Sequence, residues 1–193
     1  MKLETSYNGE TNGLQVVFAA PASEPLTLSE VKTYLKVSGT SEDTIIELLA
    51  KGAREYVEKY TSCLLISRSV TAFFQSVSEP LDLPYGPVVS VQTVHQILDD
   101  GTEESLTNYR LLGVSFKEIS WTNGRPINPI KVVYTAGFGT SADVPNMLKV
   151  DILKITSEMY HNRESFKSPM DVVQSDITIR RSLNQFKKNP YFQ

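Results

Sequence analysis

The chain has 193 residues, which corresponds to one domain, or to one domain with extensions. Hydrophobic residues make up 40% of the sequence and charged residues 21%, as is typical of a packed protein rather than a disordered one. The net charge is −3, whereas proteins that bind duplex DNA usually carry a strong excess of basic residues. The chain has 1 Cys and 2 His, which cannot form a standard four-ligand zinc site without carboxylates. No apolar run approaches the roughly 20 residues that span a bilayer, so we expect no membrane association. The first residues, Met1 to Ser6, contain no apolar h-region, so we expect no signal peptide.

Polar residues and two Asn-Gly turn dipeptides open the chain, which predicts an N-terminal arm over residues 1–25 with a short strand at Leu14–Phe18. Two helices are predicted next, over residues 27–37 and 41–62. The spacing in Thr27–Glu30 is that of a capping box, in which the two side chains satisfy each other's free backbone N–H groups.

A third helix is predicted over residues 145–161, because its apolar residues recur with the helical period. Gly52 and Ala53 in the middle of the second helix indicate close approach to another helix. We expect the three helices to pack together through one set of apolar residues. These are Leu35, Ile45, Leu49, Ala53, Tyr56, Leu148, Ile152 and Ile155.

Residues 64–135 are rich in β-branched and aromatic residues that alternate with polar ones. The Asp-Asp-Gly sequence at residues 99–101 is a strong hairpin turn signal. The sequence therefore predicts an α+β fold, in which an antiparallel β meander is inserted between the second and third helices of a small helical bundle. Residues 26–165 form the predicted core.

The C-terminal segment, residues 166–193, is predicted to be a linker containing Pro169, then a helix capped by Asp176 and ending near Lys188. Its apolar residues form one narrow stripe, which suits a helix that docks into a partner's groove better than a subunit core. Packing on its own subunit is the alternative. The predicted partner-binding residues are Ile179, Arg180, Arg181, Leu183, Phe186, Lys187, Lys188, Tyr191 and Phe192.

The sequence GFGTSA at residues 137–142 fits a dinucleotide-binding glycine pattern, with Glu158 near the position of a ribose-binding acid. Such a motif requires the helix to begin within the glycines, so that the helix N-terminus faces the pyrophosphate. Pro145 instead indicates a later helix start, and the preceding strands form hairpins. We therefore interpret the glycines as a strand-to-helix turn.

Three further residues carry potential chemistry: His95, His161 and Cys63. His161 suits a helix C-terminus, and Cys63 lies between two apolar segments that predict a buried, inert thiol. No nucleophile–base pair or ligand cluster emerges. We predict no catalytic residue, no cofactor and no metal, so the protein is not expected to be an enzyme.

Several short segments follow one another along the chain in a specific order and spacing. They are LTLSEVK at 26–32, LKV at 35–37, D-II--L at 43–49, AREYVE-YT at 53–61, L-LP at 81–84 with PV-SV at 87–91, VYTAGFG at 133–139, VP--LK at 144–149 and YHNRE at 160–164. Their order resembles the head–tail connector (adaptor) family of long-tailed bacteriophages. The resemblance covers about residues 26–165, and no match is placed for the arm or for residues 166–193.

The resemblance implies a non-enzymatic protein of the virion head–tail junction, present in the host cytoplasm before assembly. It implies a homo-oligomeric ring, usually of twelve copies, beneath the portal protein of the filled head. The ring would extend the DNA channel, let DNA pass without specific binding, and support stopper and tail proteins. The C-terminal helix is then expected to contact the portal.

Two other functions remain open from the residues alone. One is a small nucleic-acid-binding module that uses the basic C-terminal helix, since four cations and two terminal aromatic residues could bind by charge and stacking. The other is a small enzyme or ligand-binding domain, for which we find no convergent polar groups.

Overall fold

A computed structural model describes residues 4–8, 13–162 and 169–188. It contains both helices and antiparallel strands, with seven strands between the second and third helices, so the α+β prediction is confirmed. In chain order the elements are β1 (Glu4–Asn8), β2 (Leu14–Phe18), α1 (Leu28–Leu35), α2 (Asp43–Thr61), β3 (Arg68–Phe74), β4 (Leu81–Asp82), β5 (Val88–Ile97), β6 (Glu103–Ser105), β7 (Tyr109–Leu112), β8 (Glu118–Trp121), β9 (Ile130–Ala136), a 3₁₀ turn (Ser141–Asp143), α3 (Asn146–His161), α4 (Pro169–Ser175) and α5 (Ile177–Phe186).

The chain divides into two compact units. The β unit contains β1 and β2 together with residues 67–137. The helical unit contains residues 23–66 and 138–188, and therefore all five helices. Each unit has its own buried apolar residues, as expected of a domain with its own core.

Strand order in the β unit differs from the sequential order of a simple meander. A six-stranded antiparallel sheet has the order β1-β2-β3-β9-β5-β6, and a second sheet has the order β4-β8-β7. The last strand, β9, lies between β3 and β5, and its alternate side chains are aliphatic or aromatic, which suits a central position. Those side chains are Ile130, Val132, Tyr134 and Ala136, all fully buried.

The predicted N-terminal arm contributes to this sheet. Strand β2 pairs antiparallel with β3, and Val16, opposite Ala72, is buried. The predicted hairpin turn is also present: Gly101 donates its backbone N–H to Leu98 O, 2.8 Å away, and has a φ of +82°. Glycine suits this position because residues with a side chain rarely adopt a positive φ.

The helical unit is built around α2. The predicted capping box begins α1, with Glu30 N–H donating to Thr27 Oγ1 over 3.2 Å and Thr27 N–H donating to Glu30 Oε2 over 2.7 Å. The packing of α2 differs from the prediction, because Ile46 is fully buried while Leu49 is only half-buried. The helix contacts two separate apolar clusters, whereas the sequence predicted one set of packed apolar residues.

The first cluster joins α2 to α3 and α5. It contains Ala53, Val57, Leu148, Ile152 and Ile155, as well as Ile179 and Leu183 of α5. The second cluster joins α2 to α1 and to the C-terminal end of α3, and its buried members are Val31, Leu35, Ile46 and Tyr160.

The C-terminal segment requires two corrections. Residues from Pro169 to Ser175 form helix α4 rather than a linker, with Pro169 in the first turn, where its missing N–H costs nothing. The apolar stripe of α5 is buried in the subunit's own core, since Ile179 and Leu183 are both fully buried. The predicted cap of α5 is present: Asp176 Oδ1 accepts from Thr178 N–H at 2.7 Å.

Candidate interaction site

An open groove lies on the helical unit between the chain segment before α1, the helices α1 and α2, and the 3₁₀ turn. We call it the α1–α2 groove, and its volume is about 380 Å³. Apolar residues make up half of its lining, and the charged residues Glu24, Glu47 and Lys51 also line it. The lining residues are Ser23, Glu24, Pro25, Leu26, Thr27, Leu28, Val31, Glu47, Ala50, Lys51, Ser141 and Ile152.

A buried ion-pair network holds one wall of this groove. Arg54 of α2 is 5% exposed, and its Nε donates to Glu24 Oε2 at 2.8 Å while its Nη1 donates to Glu58 Oε2 at 2.8 Å. Burial acts to lower the pKa of Arg54, but Glu58 and Glu24 outweigh it and raise the pKa. Glu58 Oε1 also accepts the backbone N–H of Leu65 over 3.0 Å. The segment that carries Glu24 is thereby fixed against α2.

Sequence reasoning missed this network, since charged residues on an amphipathic helix usually face solvent. One signal was available: Arg54 and Glu58 are separated by four residues, so they lie on the same face of α2 as the buried Val57. Charged residues on that buried face need partners of opposite charge, so the spacing predicts a buried ion pair.

Asp151 of α3 is a buried carboxylate of a different kind. It is 1% exposed, and neither of its oxygens makes a hydrogen bond of good geometry within the described part of the chain. Burial raises the pKa of Asp151, and the nearby charge of Asp176 raises it further. The Ser182 hydroxyl and the charge of Lys154 lower the pKa, but they offset only part of this rise. A buried charge without a good hydrogen-bond partner is costly, so we expect Asp151 to lower the stability of the helical unit at neutral pH.

The β unit exposes two large apolar side chains almost completely: Ile127 at 93% and Val114 at 87%. Ile127 belongs to the connection between β8 and β9, residues 122–129, which we call the 122–129 loop. Both ends of this loop are anchored by backbone hydrogen bonds. Thr122 N–H donates to Asn108 O over 2.9 Å, and Pro129 O accepts from Ile97 N–H over 2.8 Å.

Helix α5 divides the predicted partner-binding residues into two groups. The apolar residues Ile179 and Leu183 are buried, and Phe186 is half-buried against the same core cluster. The cations face outward: Arg180, Arg181 and Lys187 are exposed, and Lys187 Nζ lies 5.1 Å from the centre of the Tyr60 ring. Lys188 donates its backbone N–H to Thr61 O at 3.1 Å. Tyr191 and Phe192 lie outside the described residues.

The glycine-rich sequence after β9 forms a turn that accounts for both of its glycines. Gly137 and Gly139 have a φ of +134°, and a Cβ on Gly139 would lie 2.5 Å from Asp143 Oδ2. Asp143 and Thr140 form a second capping box there, and α3 begins only at Asn146. The helix N-terminus therefore does not face the glycines as a dinucleotide site requires.

The remaining chemical candidates occupy ordinary structural positions. Cys63 is buried, burial raises the pKa of its thiol to about 11, and its Sγ donates to Phe186 O at 3.2 Å. His95 Nδ1 in β5 lies 3.9 Å from Glu103 Oε2 in the edge strand β6, and His161 ends α3. Within residues 4–8, 13–162 and 169–188, no three His, Cys, Asp or Glu side chains form a group that could hold a metal ion. None of the helices described is long and apolar enough to cross a membrane.

Residues 25–131 match the family of phage gp6-like head-tail connector proteins. The chain belongs to this family. The match begins beside the α1–α2 groove and ends in β9, so it includes the whole of α1 and α2 and most of the β unit. No curated protein matches the chain significantly.

Three solved structures have the same fold. A chain from the neck of an empty GTA particle, computed with C6 symmetry, has a TM-score of 0.73 at 18% identity, over 93% of this chain and 97% of that chain. A chain from the neck of a native GTA particle, computed with C12 symmetry, has a TM-score of 0.68 at 17% identity, over 91% and 97%. A chain from the virion of a native gene transfer agent (GTA) particle has a TM-score of 0.67 at 18% identity, over 84% and 94%.

Proposed function

We propose that this connector-family protein forms a closed ring at the head–tail junction of a phage or phage-like particle. The observation that carries the proposal is the family match over residues 25–131. The fold adds support, because it is shared over nearly the full length of chains that lie in the necks of gene transfer agent particles. The protein would act as a structural component and carry out no catalysis.

The ring would contain twelve copies. The symmetries of the two related necks, C6 and C12, support this number, since a ring of twelve satisfies both. Such a ring requires heterologous contacts, in which one surface of a copy binds a different surface of the next and the rotation closes. Each copy must therefore present two complementary surfaces.

The ring would lie beneath the portal protein, extend the DNA channel and support stopper and tail proteins. For the portal contact, the burial of Ile179 and Leu183 favours the outward cations of α5, Arg180, Arg181 and Lys187, over the apolar stripe. These cations would meet acidic side chains of the portal. The protein would reach this position from the host cytoplasm during assembly.

DNA would pass through the ring without specific binding. A net charge of −3 per copy, added around a ring, gives a field that mildly repels phosphate. The exposed cations of α5 leave room for weak, salt-sensitive binding.

The test is the mass of the purified protein alone and after mixing with the portal of the same particle, measured by sedimentation velocity. We expect the portal to acquire a stoichiometric number of copies in physiological salt. A DNA gel-shift assay runs in parallel. Sub-micromolar DNA affinity in physiological salt, together with no portal binding, would refute the connector function and favour a nucleic-acid-binding module.

A further inference from the structure

Ile127 is the most exposed large apolar side chain in the described part of the protein. An isolated exposed apolar residue is common on a protein surface, but this one lies in a loop whose backbone is restricted by two prolines. Pro126 and Pro129 flank it within three positions, and each proline fixes its own φ.

The 122–129 loop is therefore organised before any partner binds. Its ends are held by the hydrogen bonds of Thr122 and Pro129, and its centre is restricted by the prolines. Binding restricts few additional bond rotations in such a loop, so the loss of conformational entropy on docking is small. A rigid apolar side chain at the tip of a loop has the properties of an interface anchor.

The α1–α2 groove offers a concave surface with apolar side chains that could receive Ile127. Leu26, Leu28 and Ala50 are half-buried and line an open volume of about 380 Å³. Pockets of about 300–1,000 Å³ take up small ligands, so this groove has room for one branched side chain and an adjacent proline. The Arg54 network keeps the wall at Glu24 in place, so the groove also exists before binding.

The charged side chains beside the loop and the groove include one pair of opposite sign. Arg125 precedes Pro126 and is exposed, whereas Glu47 stands at the groove rim with half of its side chain exposed. The ion pair of Glu47 with Lys51 is long, at 3.9 Å, and lies on the surface, where such a pair contributes little. Glu47 can therefore accept a second cation without a large loss.

We propose that the 122–129 loop of one copy inserts Ile127 into the α1–α2 groove of the next copy, with Arg125 pairing with Glu47. The contact joins two different surfaces of the same chain, so it is heterologous and can be repeated around a ring. It rests on the proposed ring and names the surfaces that form it.

Disulfide cross-linking tests the contact in the full-length protein. In the double variant Ile127→Cys with Ala50→Cys, oxidation should produce a ladder of covalent multimers that disappears on reduction. The control pair, Val114→Cys with Ala50→Cys, exposes a cysteine at a similarly accessible apolar position and should give no ladder. Native Cys63 is buried with a raised thiol pKa, so it adds little background.

Charge reversal gives a second readout that needs no cysteine. Arg125→Glu and Glu47→Lys should each weaken association, and the double variant should restore it. Ile127→Ala should lower the association constant roughly 30-fold, the effect of losing an interface hot spot. Circular dichroism of each variant should be unchanged, because all three side chains are exposed.

The outcomes separate the contact from the ring itself. If the wild-type protein assembles but the Ile127–Ala50 pair gives no ladder, or only an intramolecular disulfide in the monomer, this contact is wrong and the ring stands. If the wild-type protein assembles neither alone nor on the portal, the proposed function fails and this contact fails with it.

Discussion

Replacing Leu183 by alanine tests whether α5 belongs to the core of the helical unit. Leu183 is fully buried in a cluster with residues of α2 and α3, among them Ala53 and Ile155. Truncating a fully buried leucine removes its transfer free energy and leaves a cavity, at a cost of about 2–5 kcal/mol. For a chain of this length the melting temperature should fall by roughly 4–20 °C.

Urea unfolding followed by far-UV circular dichroism measures the free energy of unfolding of the helices. Ile177→Ala is the matched control, since Ile177 is half-exposed on the same helix and its loss should stay within about 0.5 kcal/mol. Fluorescence of Trp121, the single tryptophan, follows the β unit separately. If Leu183→Ala and Ile177→Ala unfold at the same urea concentration, α5 is not packed as the structure has it.

Three further changes have defined outcomes. Asp151→Asn should raise the free energy of unfolding at pH 7, measured by urea titration. Burial raises the folded-state pKa of Asp151, so its charge destabilises the fold above that pKa and has no such effect below the ordinary pKa of about 3.9. If Asp151→Asn still raised the free energy of unfolding at pH 3, this account would be contradicted. Cys63 should react with a thiol reagent at pH 8 only at the rate of unfolding, and rapid labelling of the native protein would show an accessible thiolate. Thr27→Ala removes the cap of α1 and should cost about 1 kcal/mol by thermal melting, whereas Thr27→Asp should retain most of the stability.

Features that depend on neighbouring residues could be predicted from the sequence. The capping box at Thr27 and the hairpin turn at Gly101 need only residues within four positions of each other. Strand β2 has the bounds that the sequence predicted, Leu14–Phe18, because an Asn-Gly turn dipeptide immediately precedes it. The cap of α5 by Asp176 belongs to the same group.

Features that depend on distant segments could not be predicted. The choice between Ile46 and Leu49 as the buried residue of α2 depends on which helices pack on each side. One side contacts α1 and Tyr160 of α3, and the other contacts α3 and α5. The packing of α5 could not be predicted for the same reason. Its narrow stripe of Ile179 and Leu183 packs between α2 and α3. The sequence shows the width of the stripe but not the place where it packs. The α1–α2 groove is likewise assembled from segments more than 100 residues apart, from Leu26 to Ile152.

The central claim, a ring of this protein at the head–tail junction, is tested most directly by electron cryomicroscopy of the portal mixed with the purified protein. We predict a single ring of twelve copies on one end of the portal, into which both the β unit and the helical unit fit. A portal without added density, at concentrations where the protein is folded and in excess, would contradict the account.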